Sequence, residues 1–428
     1  MTRTRTTLFV IIDAGRSDYV RPDSMPFLHG LAQTGLRGSF ESPPGFAQRT
    51  SFFTGRYPDT SDNLSAFCFD PENSPFAWLK KFGPLPNVVR PYKVFVPARR
   101  AIRYISKWTS DCYHTDPGWI PTKFQPFFRP CEDTKPVHDP GALGATSLFD
   151  LCREHGKTYT YRAHPVSGND DKVFKGLVKD LRNSEPFDLY VAQFSIMDQQ
   201  GHHYGPFVDK IQKDCLTELD RKLREVYEAA KAGYDDVDVI IAADHGMAPV
   251  ERRVDFLAEL KKLDVKAAVD YVVFVNSTLV VLWYLTEKGR TLIEAALPSV
   301  PHTKVVSQEE RKRRRIPTNR KWGDRMLAAD PGMLFWPDYF HVKDSTILGM
   351  HGYLDKSVEG YGMAVLASTD GKIAKGTFET RPLVDIFPTL CDMVGVPTPD
   401  TNEGATVLPK SFAKAPRTQP VLAVPKAR

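Results

Sequence analysis

Leu8-Phe9-Val10-Ile11-Ile12-Asp13 decides the fold. Five apolar residues without a polar break suit a strand buried on both faces, as in a parallel sheet. The run stops at a carboxylate. The pattern returns twice: 189–196 reads as a strand leading to Asp198, and 237–243 as a strand leading to Asp244-His245. Helical spacing fills the intervals, at 25–34, 48–54, 145–155, 171–183 and 207–231. Residues 158–163 and 363–368 add strands, and 383–394 closes the chain as a helix. This alternation predicts a three-layer α/β sandwich: a mostly parallel central sheet with helices on both faces.

Two stretches break the rhythm. Residues 71–140 lose periodicity and fill with Pro, aromatic and basic residues. Between Lys80 and Arg129 stand ten Lys/Arg and two acids, Asp111 and Asp116. Residues 250–345 are partly β and partly basic, with the run Arg311-Lys-Arg-Arg-Arg315 expected as a solvated loop. The 428 residues are therefore read as one catalytic domain, 1–428. A basic, aromatic cap is inserted at 71–140, a second subdomain at 250–345, and a flexible tail runs from 409 to 428.

The composition excludes several classes. Apolar residues make up 42% and charged residues 25%, which is globular and not disordered. No run approaches the roughly 20 apolar residues of a membrane span. The net charge of +5 is too mild to imply sequence-specific nucleic-acid binding. A run of only five apolar residues leads to Asp13, too short for a secretory leader, so a cytoplasmic protein is expected. The six cysteines are scattered with no C-x-x-C pair, as in reduced, structural use.

Polar residues recur where strands stop, and ligands of open α/β sheets bind there. Asp13, Asp198-Gln-Gln-Gly-His202, Asp244-His245 and Gly349-Met-His351-Gly bring three carboxylates and three imidazoles toward one crevice. Hard carboxylates with imidazoles suit Zn²⁺ first, with Mn²⁺ and Fe²⁺ as alternatives. Six ligands suffice for two divalent ions, the usual clamp for displacement at phosphorus. His203 adjoins a ligand as a bystander. The remaining histidines show no pattern and are expected on the surface.

The set resembles the alkaline phosphatase superfamily, most closely its nucleotide pyrophosphatase/phosphodiesterase (type I phosphodiesterase) branch. The carrying residues are Ile11-Ile-Asp13-Ala-Gly-Arg16-Ser-Asp18, Thr54-Gly-Arg-Tyr-Pro58, Asp198-x-x-Gly-His202-x-x-Gly-Pro206, Ala243-Asp244-His245-Gly-Met247 and His351-Gly-Tyr353. The resemblance implies a two-metal hydrolase of phosphodiester or pyrophosphate bonds. It implies one metal on Asp198, His202 and His351, and another on Asp13, Asp244 and His245. It also implies a small phosphorylated substrate, nucleotide or lipid-linked.

The chain departs from that pattern at the nucleophile. The superfamily's nucleophile stands nine residues before the Thr of Thr54-Gly55, which is Gly45 here. Glycine has no side chain to carry a covalent intermediate. The branch's oxyanion Asn, aligned on Asp70-Pro71, falls on Ala66. Attack by metal-activated hydroxide, or by Ser42 through a shifted loop, are the two catalytic readings. A sulfatase-like or phosphotransferase enzyme is one alternative; a catalytically inactive, metal-dependent phosphate-binding protein is another. Arg49, one turn past the slot, is a candidate contact for an anionic substrate. Arg16 and Asp18 are expected to tie down the first strand-to-helix turn. The aromatics of the cap are expected to build a small core of its own, with some of its cations facing substrate.

Overall fold

A computed structural model describes residues 4–82, 92–112, 115–131, 135–164, 167–183, 186–341, 346–355 and 360–412. Tyr113 of the cap and the tail from 413 lie outside the described residues.

The apolar run becomes the strand Arg5–Ile12 near the centre of an eight-stranded sheet. Leu189–Phe194 and Asp236–Ala242 flank it, both parallel, and Tyr159–Arg162 extends the sheet beyond Leu189–Phe194. On the other side Gly362–Ser368 runs antiparallel between Asp236–Ala242 and Leu36–Glu41. Side chains alternate across a strand, so the central run feeds two cores. Leu8, Val10 and Ile12 pack beneath the helices Pro26–Thr34, Asp170–Arg182 and Leu216–Gly233. Phe9 and Ile11 pack beneath Gln48–Thr54, Leu148–Glu154 and Ile386–Val394. The expected three-layer α/β sandwich is the observed one.

Several local expectations change. The strand before Asp198 ends at Phe194, and Asp198 sits in the first turn of a helix, Ile196–Tyr204. The long helix expected over 207–231 starts later: a wide turn at Ile211–Cys215 leads into Leu216–Gly233. Gly205-Pro206 ends the preceding helix, with Gly205 at φ +78°, which delays the restart. Residues 71–140 are not wholly irregular, because Tyr92–Trp108 forms a helix.

The two excursions share a core. Strands Tyr271–Asn276, Leu279–Tyr284, Arg325–Ala329 and Thr303–Val306 form an antiparallel sheet. Phe128 of the cap stacks edge-on against Phe274 and Trp283, at 5.2 and 5.5 Å. Phe124 and Phe128 of the cap thus join a shared core, while Phe76, Leu79 and Ile102, with Trp78 against them, build the small core of its own that was expected. Trp108 stays exposed.

The basic run at 311–315 is not a solvated loop. It ends the helix Gln308–Arg313, and Arg311 is fully buried. The Arg311 guanidinium donates to the carbonyls of Gly323 at 2.9 Å and Trp322 at 3.1 Å, and to that of Pro317. Burial pushes its pKa down to about 10. Arg314 pairs with Glu310 and Asp355, and Arg315 with Asp59 and Glu403.

Candidate active site

Three adjacent parallel strands deliver the polar residues to one edge of the sheet. Asp13 follows the first strand, and its N–H donates to the Phe194 carbonyl at 2.9 Å. Asp244 and His245 follow Asp236–Ala242. Asp198 and His202, four residues apart, lie on one face of the helix Ile196–Tyr204. His351 follows the short strand Gly349–Met350, which pairs with Ala248–Pro249 just beyond His245. The turn after Asp13 is strained: Ala14 adopts φ +59°, a region that side chains avoid. There its N–H donates to Asp244 Oδ1 at 3.2 Å, locking two of the acids together.

All six residues converge. Asp198 Oδ1 lies 3.1 Å from His202 Nε2 and 3.4 Å from His351 Nε2. His245 Nε2 lies 3.4 Å from Asp13 Oδ1 and 3.7 Å from Asp244 Oδ2. Ligand atoms of Asp13, Asp244 and His245 fall within 4.8 Å of one another, as do those of Asp198, His245 and His351. His245 therefore stands between the two groups. His202 joins through Asp198, and its Nδ1 is 2.9 Å from the Gly349 carbonyl. His245 Nδ1 is likewise 2.8 Å from the Gly246 carbonyl. Each acceptor holds the proton on Nδ1 and turns Nε2 toward the carboxylates, as metal-binding histidines require.

The electrostatics fit a cation. Burial, with Asp198 nearby, pushes Asp244 up to about 7. Burial and the charges of Asp244 and Asp198 raise Asp13 well above the carboxylate range, opposed by His245 and Arg49. Burial opposes charge on His202, yet Asp198 outweighs it and raises the imidazole to about 9. Protons thus do what a divalent ion would do better. Asp198 Oδ1 is buried without an aligned hydrogen bond, a further sign of a missing partner. Carboxylates and imidazoles at these separations could hold two divalent metals.

The nucleophile slot is closed by backbone. Gly45 is buried at φ +93°, and a Cβ there would come 2.1 Å from the Leu64 carbonyl oxygen. That oxygen accepts from Phe46 N–H at 2.8 Å, so it is held in place. Glycine is required by this loop and offers the crevice no side chain at position 45, while its neighbour Phe46 packs on His351 with ring centroids 5.5 Å apart. The Ser42 hydroxyl donates to the backbone carbonyl of Asp244. Arg49 lies in the first turn of Gln48–Thr54, close enough to act on the charge of Asp13. It also lines a neighbouring cavity of about 320 Å³. Arg16 does tie down its turn, pairing with Asp18 and donating to the Met247 carbonyl at 2.7 Å. His203 is exposed.

Two residues escaped the sequence reading. Gln193 Nε2 donates to Asp13 Oδ2 at 3.0 Å. His341 is not a surface residue: its ring lies 5.1 Å from that of His202, and Asp338 Oδ2 grips its Nδ1 at 2.7 Å. The Asp338-x-x-His341 spacing was its available signal; Gln193 has none, since it sits in an apolar strand.

Comparison with known proteins points to one family. The family described as Type I phosphodiesterase / nucleotide pyrophosphatase matches residues 7–354. Ectonucleotide pyrophosphatase/phosphodiesterase family member 7 of Rattus norvegicus is 22% identical over 93% of this chain and 84% of its own. The Bis(5'-adenosyl)-triphosphatase of Xenopus laevis is 25% identical over 48% of this chain and 44% of its own. Among solved structures, human ectonucleotide pyrophosphatase / phosphodiesterase 5 superposes with TM-score 0.66 at 16% identity, covering 94% of this chain and 97% of that one. The murine counterpart, in an inactive form with AMP, superposes with TM-score 0.63. The chain belongs to the type I phosphodiesterase / nucleotide pyrophosphatase family, within the alkaline phosphatase superfamily.

Proposed function

We propose that this protein is a metal-dependent hydrolase of phosphodiester or pyrophosphate bonds in small phosphorylated substrates. The observation that carries the reading is the convergence of one buried and two half-buried carboxylates with three imidazoles at the ends of the central strands. Asp198, His202 and His351 are proposed to hold one divalent ion, and Asp13, Asp244 and His245 the other, with Zn²⁺ the best match to the donors. The ions, when bound, would neutralise phosphoryl oxygens and acidify water.

The remaining roles fall to this chain's own groups. The attacking group is water, because Gly45 offers no atom and the Ser42 hydroxyl is turned to the Asp244 carbonyl. Arg49, whose charge acts on Asp13, binds a non-bridging phosphoryl oxygen. Gln193 steadies Asp13 through its hydrogen bond.

Turnover of a generic aryl phosphodiester by the metal-loaded protein tests this. Hydrolysis should be lost in Asp244→Ala and kept within a few-fold in Ser42→Ala. Full metal occupancy without turnover would favour a binding protein, which the closed Gly45 slot also permits. Loss in Ser42→Ala alone would restore a serine nucleophile.

A further inference from the structure

We propose that the exposed face of the helix Tyr92–Trp108 is a docking surface for an anionic lipid bilayer. Ile102 and Ser106, one turn apart, face inward. Ile102 packs with Phe76 and Leu79, and the Ser106 hydroxyl accepts from Trp78 Nε1 at 3.1 Å. The opposite face is left to solvent. Tyr104 and Trp108 stand there one turn apart, 59% and 89% exposed, with Ile105 beside them at 42%. Arg100, Arg103 and Lys107, all exposed, flank these apolar side chains on one side, as helical spacing requires.

Charge and residue type select the occupant. Residues 83–115 hold six Lys/Arg and one acid, Asp111. Asp111 lies 3.8 Å from Arg129. The next acid, Asp116, takes two bonds from Arg99, each at 2.8 Å, and stands 3.9 Å from Arg103. Cations therefore outnumber acids around this helix, and each one near an anionic headgroup layer adds to the attraction. Trp and Tyr settle where headgroups meet acyl chains, with an apolar body on one side and a polar tip on the other. An apolar arc beside a cationic arc on one helix is the pattern of a helix that lies in a membrane surface. A second copy of the chain fits badly, because its cations would meet these cations.

Sedimentation of the full-length protein with lipid vesicles tests the docking. One set is phosphatidylcholine alone; the other is phosphatidylcholine and phosphatidylserine in equal parts. The mixed vesicles should bind at least about five-fold more tightly, and added salt should weaken that binding. Arg100→Gln and Lys107→Gln should each weaken it about five-fold. Trp108→Ser should weaken it at least about five-fold, and Trp108→Phe, which keeps an apolar ring, should restore most of the loss. Arg221→Gln, on the exposed face of Leu216–Gly233, should leave binding unchanged and so exclude a mere effect of net charge. Equal binding to both vesicle sets, or equal binding by Trp108→Ser and wild type, overturns the docking. A dimer in lipid-free solution that Trp108→Ser dissociates would give the face to a second copy instead. Tighter binding of a polyuridylate strand than of mixed vesicles would give it to nucleic acid. Turnover does not enter this readout, so a failed hydrolase reading and a failed docking surface are told apart.

Discussion

The imidazole of His245 lies flat on that of His351, with ring centroids 3.6 Å apart and planes 9° apart. Two charged rings would repel in such a stack, which disfavours a proton on His351. Burial and the neighbouring His245 accordingly push His351 well below the ordinary histidine value. His245 faces Asp13 and Asp244 while His351 faces Asp198, so the stack joins the two halves of the site.

The first prediction follows from that central place. His245→Ala should lose more metal than His351→Ala, because His245 lies within reach of both ligand groups. Groups that merely orient ligands are worth about 10–100-fold, so either change should cut activity at least about 100-fold. Elemental analysis of desalted protein checks the order. A His245→Ala protein with the metal content of wild type would remove this residue from the ligand set.

Charge crowding makes a second prediction. Asp244 is buried and Asp13 and Asp198 are half-buried beside it, and like charges crowded this way destabilise the fold unless a cation offsets them. Asp244→Asn keeps an oxygen for the N–H groups of Ala14, at 3.2 Å, and His245, at 3.0 Å. In chelator this variant should melt above wild type. With Zn²⁺ added the order should reverse, since wild type gains both ions and the variant loses its hold on the one beside Asp13. Melting curves decide it, and a variant below wild type in chelator would show that the acids are not in conflict.

Gly45 carries a third. Alanine there meets the Leu64 carbonyl oxygen at 2.1 Å and must adopt φ +93°. Gly45→Ala and Gly45→Thr should each destabilise by about 2 kcal/mol or more. Gly45→Thr should also gain no activity, because its hydroxyl cannot enter without displacing the loop. Chemical unfolding and a diesterase assay check both. A Gly45→Thr protein that folds normally and accumulates a phosphorylated threonine would mean that the slot opens.

What could be read from the chain depended on whether its cause was local. The strand before Asp13 is legible because burial on both faces leaves an unbroken apolar run. Helix Gln48–Thr54 is legible because Gly55, at φ +64°, ends it as expected. Leu36–Glu41 is not: its sequence, Leu-Arg-Gly-Ser-Phe-Glu, gains its strand character from pairing with Gly362–Leu366, far along the chain. The contact of Gln193 with Asp13 depends on the register that sets Ile11 opposite Gln193. Arg311 is hidden for a different reason: a run of five cations signals solvent, yet one of them faces inward to three carbonyls.

The fourth prediction concerns the helix that backs Arg49. Phe149 of Leu148–Glu154 packs on Phe53 of Gln48–Thr54 with ring centroids 4.8 Å apart. That helix starts with a capping box. The Ser147 hydroxyl accepts from Asp150 N–H at 3.2 Å, and Asp150 accepts from Ser147 N–H at 2.9 Å. Ser147→Ala should cost about 1 kcal/mol. Burial would raise the Asp150 carboxyl, but Ser147, Arg153 and Gly141 outweigh it and hold it below the usual value. A depressed folded pKa means that the unfolded chain takes up the proton first as pH falls. The advantage of wild type over Asp150→Asn is therefore complete above the unfolded value of about 3.9 and lost as pH falls through the lower folded value. Urea unfolding at about pH 7, 5 and 3 should show a constant gap between the first two and a smaller one at the third. A gap that widened toward pH 3 would reverse the sign and show that Asp150 does not stabilise the helix as a carboxylate.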